Sequence, residues 1–170
     1  MQAVLDMQKT LTPERVDRIW VDADLSVYRV AGGIWAFFDK VNELTVMDIE
    51  QVKQRYKRLR PFQANKAVNT PPDIAAAAQS PAYPSEHATF GIETALFLSL
   101  MVPERKRDLI ARGWEYGEQR IAIGVAYPSD CQGGQIVAAA MAALLLQDPE
   151  FNAEFEAAKA EIRNGLGLAQ

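Results

Sequence analysis

The chain is poor in the residues that build metal and disulfide sites. Its 170 residues hold one cysteine, Cys131, and one histidine, His87. A single cysteine excludes an intrachain disulfide and a cysteine-rich zinc site. A basic surplus is missing too: 18 Lys and Arg stand against 22 Asp and Glu, a net charge of −4. That balance argues against nucleic acid as a partner. Long apolar runs are also absent. The longest, Ile136 to Leu146, falls short of the ~20 residues of a helical span, and Glu93, Thr94 and Ser99 interrupt the stretch from Gly91 to Val102. No membrane span is therefore expected. Met1 to Thr10 show no basic stretch followed by an apolar core, so no signal peptide is visible.

What is present is ordinary for a globular chain: 49% hydrophobic and 24% charged residues. A chain this long can bury about 70% of its extended surface without cross-links. One domain over residues 1–170 is expected. The periodicity is helical almost throughout. Thr12-Pro13-Glu14 reads as a helix start with Pro at the first position. Ile34, Phe37, Phe38 and Val41 have the spacing of an amphipathic helix. Thr45 can cap a further helix running toward Leu59 and stopping near Pro61. Residues 64 to 84 hold Pro71, Pro72, Pro81 and Pro84 and read as an irregular, functional connection. Ser85 to Met101 reads as a central apolar helix, and Pro103-Glu104 opens another that ends near Gly117. Arg120 to Pro128 alternates like a strand but is too isolated to build a sheet. Ser129-Asp130 can cap the next helix, and Pro149 opens the last, ending near Gly165. The expected fold is all-α: a single-domain bundle of about six to eight helices around a buried central pair, with the helices that open at Ser85 and Ser129 in the middle.

Three short constellations carry chemistry. Lys53 and Arg60 lie two helical turns apart, within roughly 20° of one face, and could grip one anion. Arg55, Lys57 and Arg58 stand beside them, so a solvated basic face is the plain alternative. Pro84-Ser85-Glu86-His87 opens the apolar helix, where free N–H groups and the dipole suit an oxyanion. The plain alternative there is a Ser cap with a histidine in the first turn. Gln119-Arg120 and Asp130 form the third, which alone reads as a turn with a capping Asp.

In this order the three resemble the type 2 phosphatidic acid phosphatase superfamily, in particular its class A nonspecific acid phosphatases, with vanadium haloperoxidases as relatives. The family pattern is Lys-x6-Arg-Pro, Pro-Ser-Gly-His and Ser-Arg-x5-His-x3-Asp. The first motif is complete at Lys53, Arg60 and Pro61. The second has Glu86 in place of Gly, and the third has Gln119 for Ser and Ala126 for His. Tyr56 to Phe62, Gly124 to Asp130 and Asp22 to Tyr28 are also similar to family sequence. The resemblance runs over about residues 10 to 145.

It implies metal-independent hydrolysis of phosphomonoesters through a phosphohistidine, with no cofactor, vanadate serving only as a phosphate analogue. Lys53, Arg60, Arg120, Ser85 and the N–H of Glu86 would bind phosphate, His87 would be the general acid, and Asp130 would orient the nucleophile. Small phosphorylated substrates or inorganic phosphate are the implied partners; a homo-oligomer is left open. Family members are commonly periplasmic or secreted, with a cytoplasmic location the alternative. The nucleophile position, however, is Ala126, and no second histidine exists to replace it. Three readings fit: an inactivating substitution that traps phosphate or substrate, a natural non-catalytic oxyanion-binding protein, or an enzyme whose only acid or base is His87. In the haloperoxidase branch the same change removes the vanadium ligand. The Glu86 carboxylate is expected to point away from a bound dianion or else to weaken its binding, and could instead shape substrate choice. The 64–84 connection and residues 25 to 40 are expected to line the entrance.

Overall fold

The computed structural model describes residues 1–9 and 34–169. The readings at Thr12 to Glu14 and Asp22 to Tyr28, and part of the 25 to 40 entrance, lie outside these residues. Among the described residues every regular element is helical: α1 (Gln2–Lys9), α2 (Ile34–Tyr56), α3 (Pro61–Ala64), α4 (Pro72–Ala77), α5 (Glu86–Met101), α6 (Lys106–Ala122), α7 (Pro128–Leu145) and α8 (Pro149–Gly165). A 3-10 turn, Pro103–Arg105, leads into α6. No helix of the described residues is long and apolar enough to cross a membrane.

Helix α5 is apolar nearly all round, the pattern of a helix with no solvent face. Ala88, Ile92, Ala95, Phe97, Leu98 and Met101 are buried on different sides of it. It packs mainly on α6 and then on α7, with lesser contacts to α2 and α8. Two close approaches set its position. A Cβ on Gly113 of α6 would lie 2.6 Å from the Gly91 carbonyl oxygen of α5, so only hydrogen fits there. A Cβ on Gly134 of α7 would lie 2.5 Å from the Ser85 carbonyl oxygen, at the start of α5. The far end is held by aromatic packing: the Phe37 ring of α2 stands 5.7 Å from Phe97 of α5 and 5.3 Å from Phe151 of α8. Arg163 of α8 closes that end with a two-point ion pair to Glu104, at 3.0 and 3.2 Å.

Several element readings change. The helices expected on either side of Thr45 are one, α2, because nothing in that stretch breaks a helix; Thr45 is buried in its middle and its hydroxyl donates to Glu93 Oε2 at 2.7 Å. Helix α2 ends at Tyr56, ahead of Leu59, where Lys57 takes the left-handed conformation at φ 45°. The proline-rich connection contains α4, with Pro72 at its first turn, where a missing N–H costs nothing. Helix α6 continues past Gly117 to Ala122, so Arg120 lies in its last turn and the alternating segment starts as helix. The cap of α7 is Tyr127 and not Ser129: Pro128 takes the first helical position and Asp130 the third, its Oδ2 accepting from the Tyr127 N–H at 2.8 Å.

Candidate functional site

The start of α5 opens into a cavity of about 400 Å3. Lys53, Arg60, Ser85, Glu86, His87, Arg120 and Ala126 all line it, together with Ile74, Ala78, Ser80, Ala82 and Val125. Residues distant in sequence thus meet, though not as a single helix face would bring them. Lys53 lies in the last turn of α2, and Arg60 lies beyond its end as the residue preceding α3. They converge because Ser80 clamps both: its Oγ accepts from Lys53 Nζ and from Arg60 Nη2, each at 3.1 Å. Arg60 is fixed further by Nε to the Ser80 carbonyl at 2.8 Å and Nη1 to the Val125 carbonyl at 2.9 Å.

Ser85 is the cap of α5, its hydroxyl oxygen accepting from the Ala88 N–H at 3.3 Å. The Ser85 N–H donates to the Asp130 carbonyl at 3.0 Å, tying the start of α5 to the first turn of α7. A hydroxyl that accepts still has its proton to give. Arg120 reaches in from α6 with a buried Nε that has no hydrogen-bond partner among the described residues. A buried donor without a partner costs about 1–3 kcal/mol, and an anion in the cavity would recover part of it. Burial, then the neighbouring Arg120 guanidinium, pulls Arg60 below its ordinary pKa; burial does the same to Arg120.

His87 stacks on Tyr116, the rings 5.7 Å apart and 20° from parallel. Burial, followed by Arg120, Lys53 and Arg60, lowers its pKa to about 4. The imidazole is therefore neutral near pH 7. An anion that offsets the three cations removes part of that shift and favours the acid form.

Two motif residues take positions that the sequence left open. Glu86 does not turn away: its carboxylate enters the cavity, with Oε2 3.3 Å from Lys53 Nζ. Asp130 does not line the cavity. It is wholly buried, with Oδ1 2.7 Å from Arg58 Nη1 and Oδ2 on the Tyr127 N–H. Arg58 also donates to Ser129 Oγ at 2.8 Å and lies over the Tyr127 ring at 4.3 Å. Gln119 does not line the cavity either. Ala126 lines the cavity, is 1% exposed, and belongs to a buried apolar cluster with Ile121 and Cys131. Sequence reasoning did not assign Ser80 or the Arg58 contact to Asp130. Ser80 sits in a proline-rich stretch without a motif, and Arg58 is one member of a basic run.

The fold and this cavity define an all-α architecture in which a helix N-terminus and three cationic side chains meet at one cavity. Residues 35–154 match the PAP2 superfamily, and the chain belongs to it. It is similar to a non-specific acid phosphatase of Providencia stuartii, 30% identical over 166 residues, covering 87% of this chain and 67% of that one. An acid phosphatase of Zymomonas mobilis subsp. mobilis is 33% identical over 116 residues, 68% of this chain and 44% of its own. A non-specific acid phosphatase of Salmonella typhimurium is 34% identical over 117 residues, 68% of this chain and 47% of its own. The chain thus spans about half the length of the latter two relatives.

Proposed function

We propose that the cavity binds phosphomonoesters and inorganic phosphate, and that the chain is an acid-phosphatase-type hydrolase whose turnover is blocked at Ala126. The observation that carries this reading is the convergence of Lys53, Arg60, Arg120 and Ser85 on one cavity that Ala126 also lines. Phosphoryl transfer needs positioning and charge stabilisation more than covalent help from the protein, and three cations with N–H donors supply both. The nucleophile is what is missing. With an imidazole at position 126, its nitrogen would attack phosphorus while the ester P–O bond breaks. His87 would pass its proton to the leaving oxygen, then take one from the water that cleaves the P–N bond. A methyl has no lone pair for the first step.

A second reading has its own support. Asp130 is not stranded by the loss of an imidazole, because Arg58 and the Tyr127 N–H occupy both its oxygens. A carboxylate so satisfied suits a natural binding protein that never used a nucleophile.

One pair of proteins separates the two. The chain as it stands and Ala126→His are titrated with inorganic phosphate and assayed on p-nitrophenyl phosphate, with rapid-quench capture of phosphohistidine. The phosphatase reading expects phosphate binding by both, little turnover by the first and acid-favoured turnover by the second. A folded, phosphate-binding Ala126→His protein that stays inert overturns it in favour of the binding protein. Full turnover with Ala126 in place refutes the inherited mechanism itself.

A further inference from the structure

Among the described residues Glu86 is the one carboxylate that lines the cavity, and it stands where the family pattern has a residue without a side chain. Its neighbours are cationic or neutral. Lys53 of α2 pairs with it, and Arg60 ahead of α3, Arg120 of α6 and His87, next to it on α5, line the same cavity. From α4 and the chain just beyond it come Ile74, Ala78, Ser80 and Ala82, none of them charged. Lys53 takes Oε2, while among the described residues no hydrogen bond reaches Oε1. The side chain remains 40% exposed, so it faces whatever enters.

The donor and acceptor inventory of this cavity is lopsided. The ammonium, the two guanidinium groups, the serine hydroxyls and the first N–H groups of α5 all offer protons. An ionised carboxylate only accepts. A tetrahedral anion seated among these donors presents an oxygen to Glu86, and what that oxygen carries decides the sign of the contact. A P–OH group donates to the carboxylate and completes the site. An ionised oxygen meets it as a like charge, with no proton between them.

We propose that Glu86 makes this cavity selective for tetrahedral oxyanions that still carry a proton, namely phosphate and phosphomonoester monoanions, over fully ionised ones such as sulfate. The inference rests on the phosphate-binding reading above and adds its specificity. Phosphomonoesters lose their second proton near about pH 6, so binding weakens as pH rises through that range. A bound anion also favours the acid form of His87, and that protein-side effect acts on phosphate and sulfate alike. Sulfate has no proton to lose over the same interval, which separates a ligand effect from a protein effect.

Calorimetric titration with inorganic phosphate and with sulfate, on the full chain and on Glu86→Gln and Glu86→Gly, tests this. At about pH 5.5 phosphate should bind roughly 30-fold tighter than sulfate, a partly solvated version of the discrimination that sites built on a hydroxyl contact achieve. In Glu86→Gln the gap should close to about threefold, chiefly by a gain in sulfate affinity, since the amide can donate where the carboxylate could not. Glu86→Gly should do the same without adding a donor, which covers the case of a misfolded Gln variant. Equal binding of phosphate and sulfate by the parent chain, or unchanged selectivity in the variant that folds, overturns the role of Glu86 while phosphate binding itself stands. Binding of neither anion by the parent overturns the phosphate-binding reading and this inference with it.

Discussion

Replacing Glu93 by Gln should stabilise the protein at neutral pH and leave it unchanged in acid. Glu93 is fully buried in the middle of α5. Its Oε2 accepts from Thr45 at 2.7 Å, and its Oε1 has no partner among the described residues. Burial, only partly offset by the Thr45 hydroxyl, raises its pKa from 4.5 to about 7. Between those values the folded chain holds a proton that the unfolded chain has released. Stability contributed by this group is therefore greatest below about pH 4.5 and falls as pH rises to about 7. At 1.36 kcal/mol per pKa unit the loss above pH 7 is about 3 kcal/mol, a large share of the usual 5–15.

Glutamine keeps an acceptor for Thr45 and never ionises. Urea unfolding of both proteins should show a gain of about 3 kcal/mol for Glu93→Gln at about pH 7.5 and close to none at about pH 4.5. His87 sharpens the result. Its folded pKa, about 4, lies below the ordinary 6.5, so its contribution is present above 6.5 and is lost as pH falls toward 4. In the parent chain the two opposed slopes overlap and partly cancel. With Glu93 gone, stability should rise with pH across that window. A Glu93→Gln protein that is less stable at about pH 7.5, or whose difference from the parent does not vary with pH, would refute the reasoning.

Arg120→Ala should weaken orthophosphate binding by roughly 2–4 kcal/mol, the scale of a charge-assisted contact in a preorganised site; isothermal titration of both forms measures it, and equal affinities would place the anion elsewhere. Ser80→Ala removes the shared acceptor of Lys53 and Arg60. It should cost about 1–2 kcal/mol of orthophosphate affinity by the same titration, and an unchanged affinity would mean the two cations need no clamp.

Helix identity was legible in the sequence wherever a local cause was enough. Pro149 at the start of the last helix, Ser85 ahead of an apolar run, and the spacing of Phe37, Phe38 and Val41 each act over one or two turns, and the structure keeps them. The three motifs also named Lys53, Arg60, Ser85 and Arg120, which the structure brings to one cavity, while Ser80 belongs to no motif. Tertiary structure decided the rest. Thr45 reads as a cap until the buried carboxylate of Glu93, far along the chain, supplies its hydroxyl with a partner. Lys53 and Arg60 meet through Ser80 across a break in the helix, which no periodicity within one helix describes. Asp130 pairs with Arg58, and Glu86 bends inward to Lys53, because burial makes an unpaired charge costly and the nearest opposite charge in space takes it. Local spacing shows which side chains are available; only the packing of α2, α5, α6 and α7 determines which of them are close enough to pair.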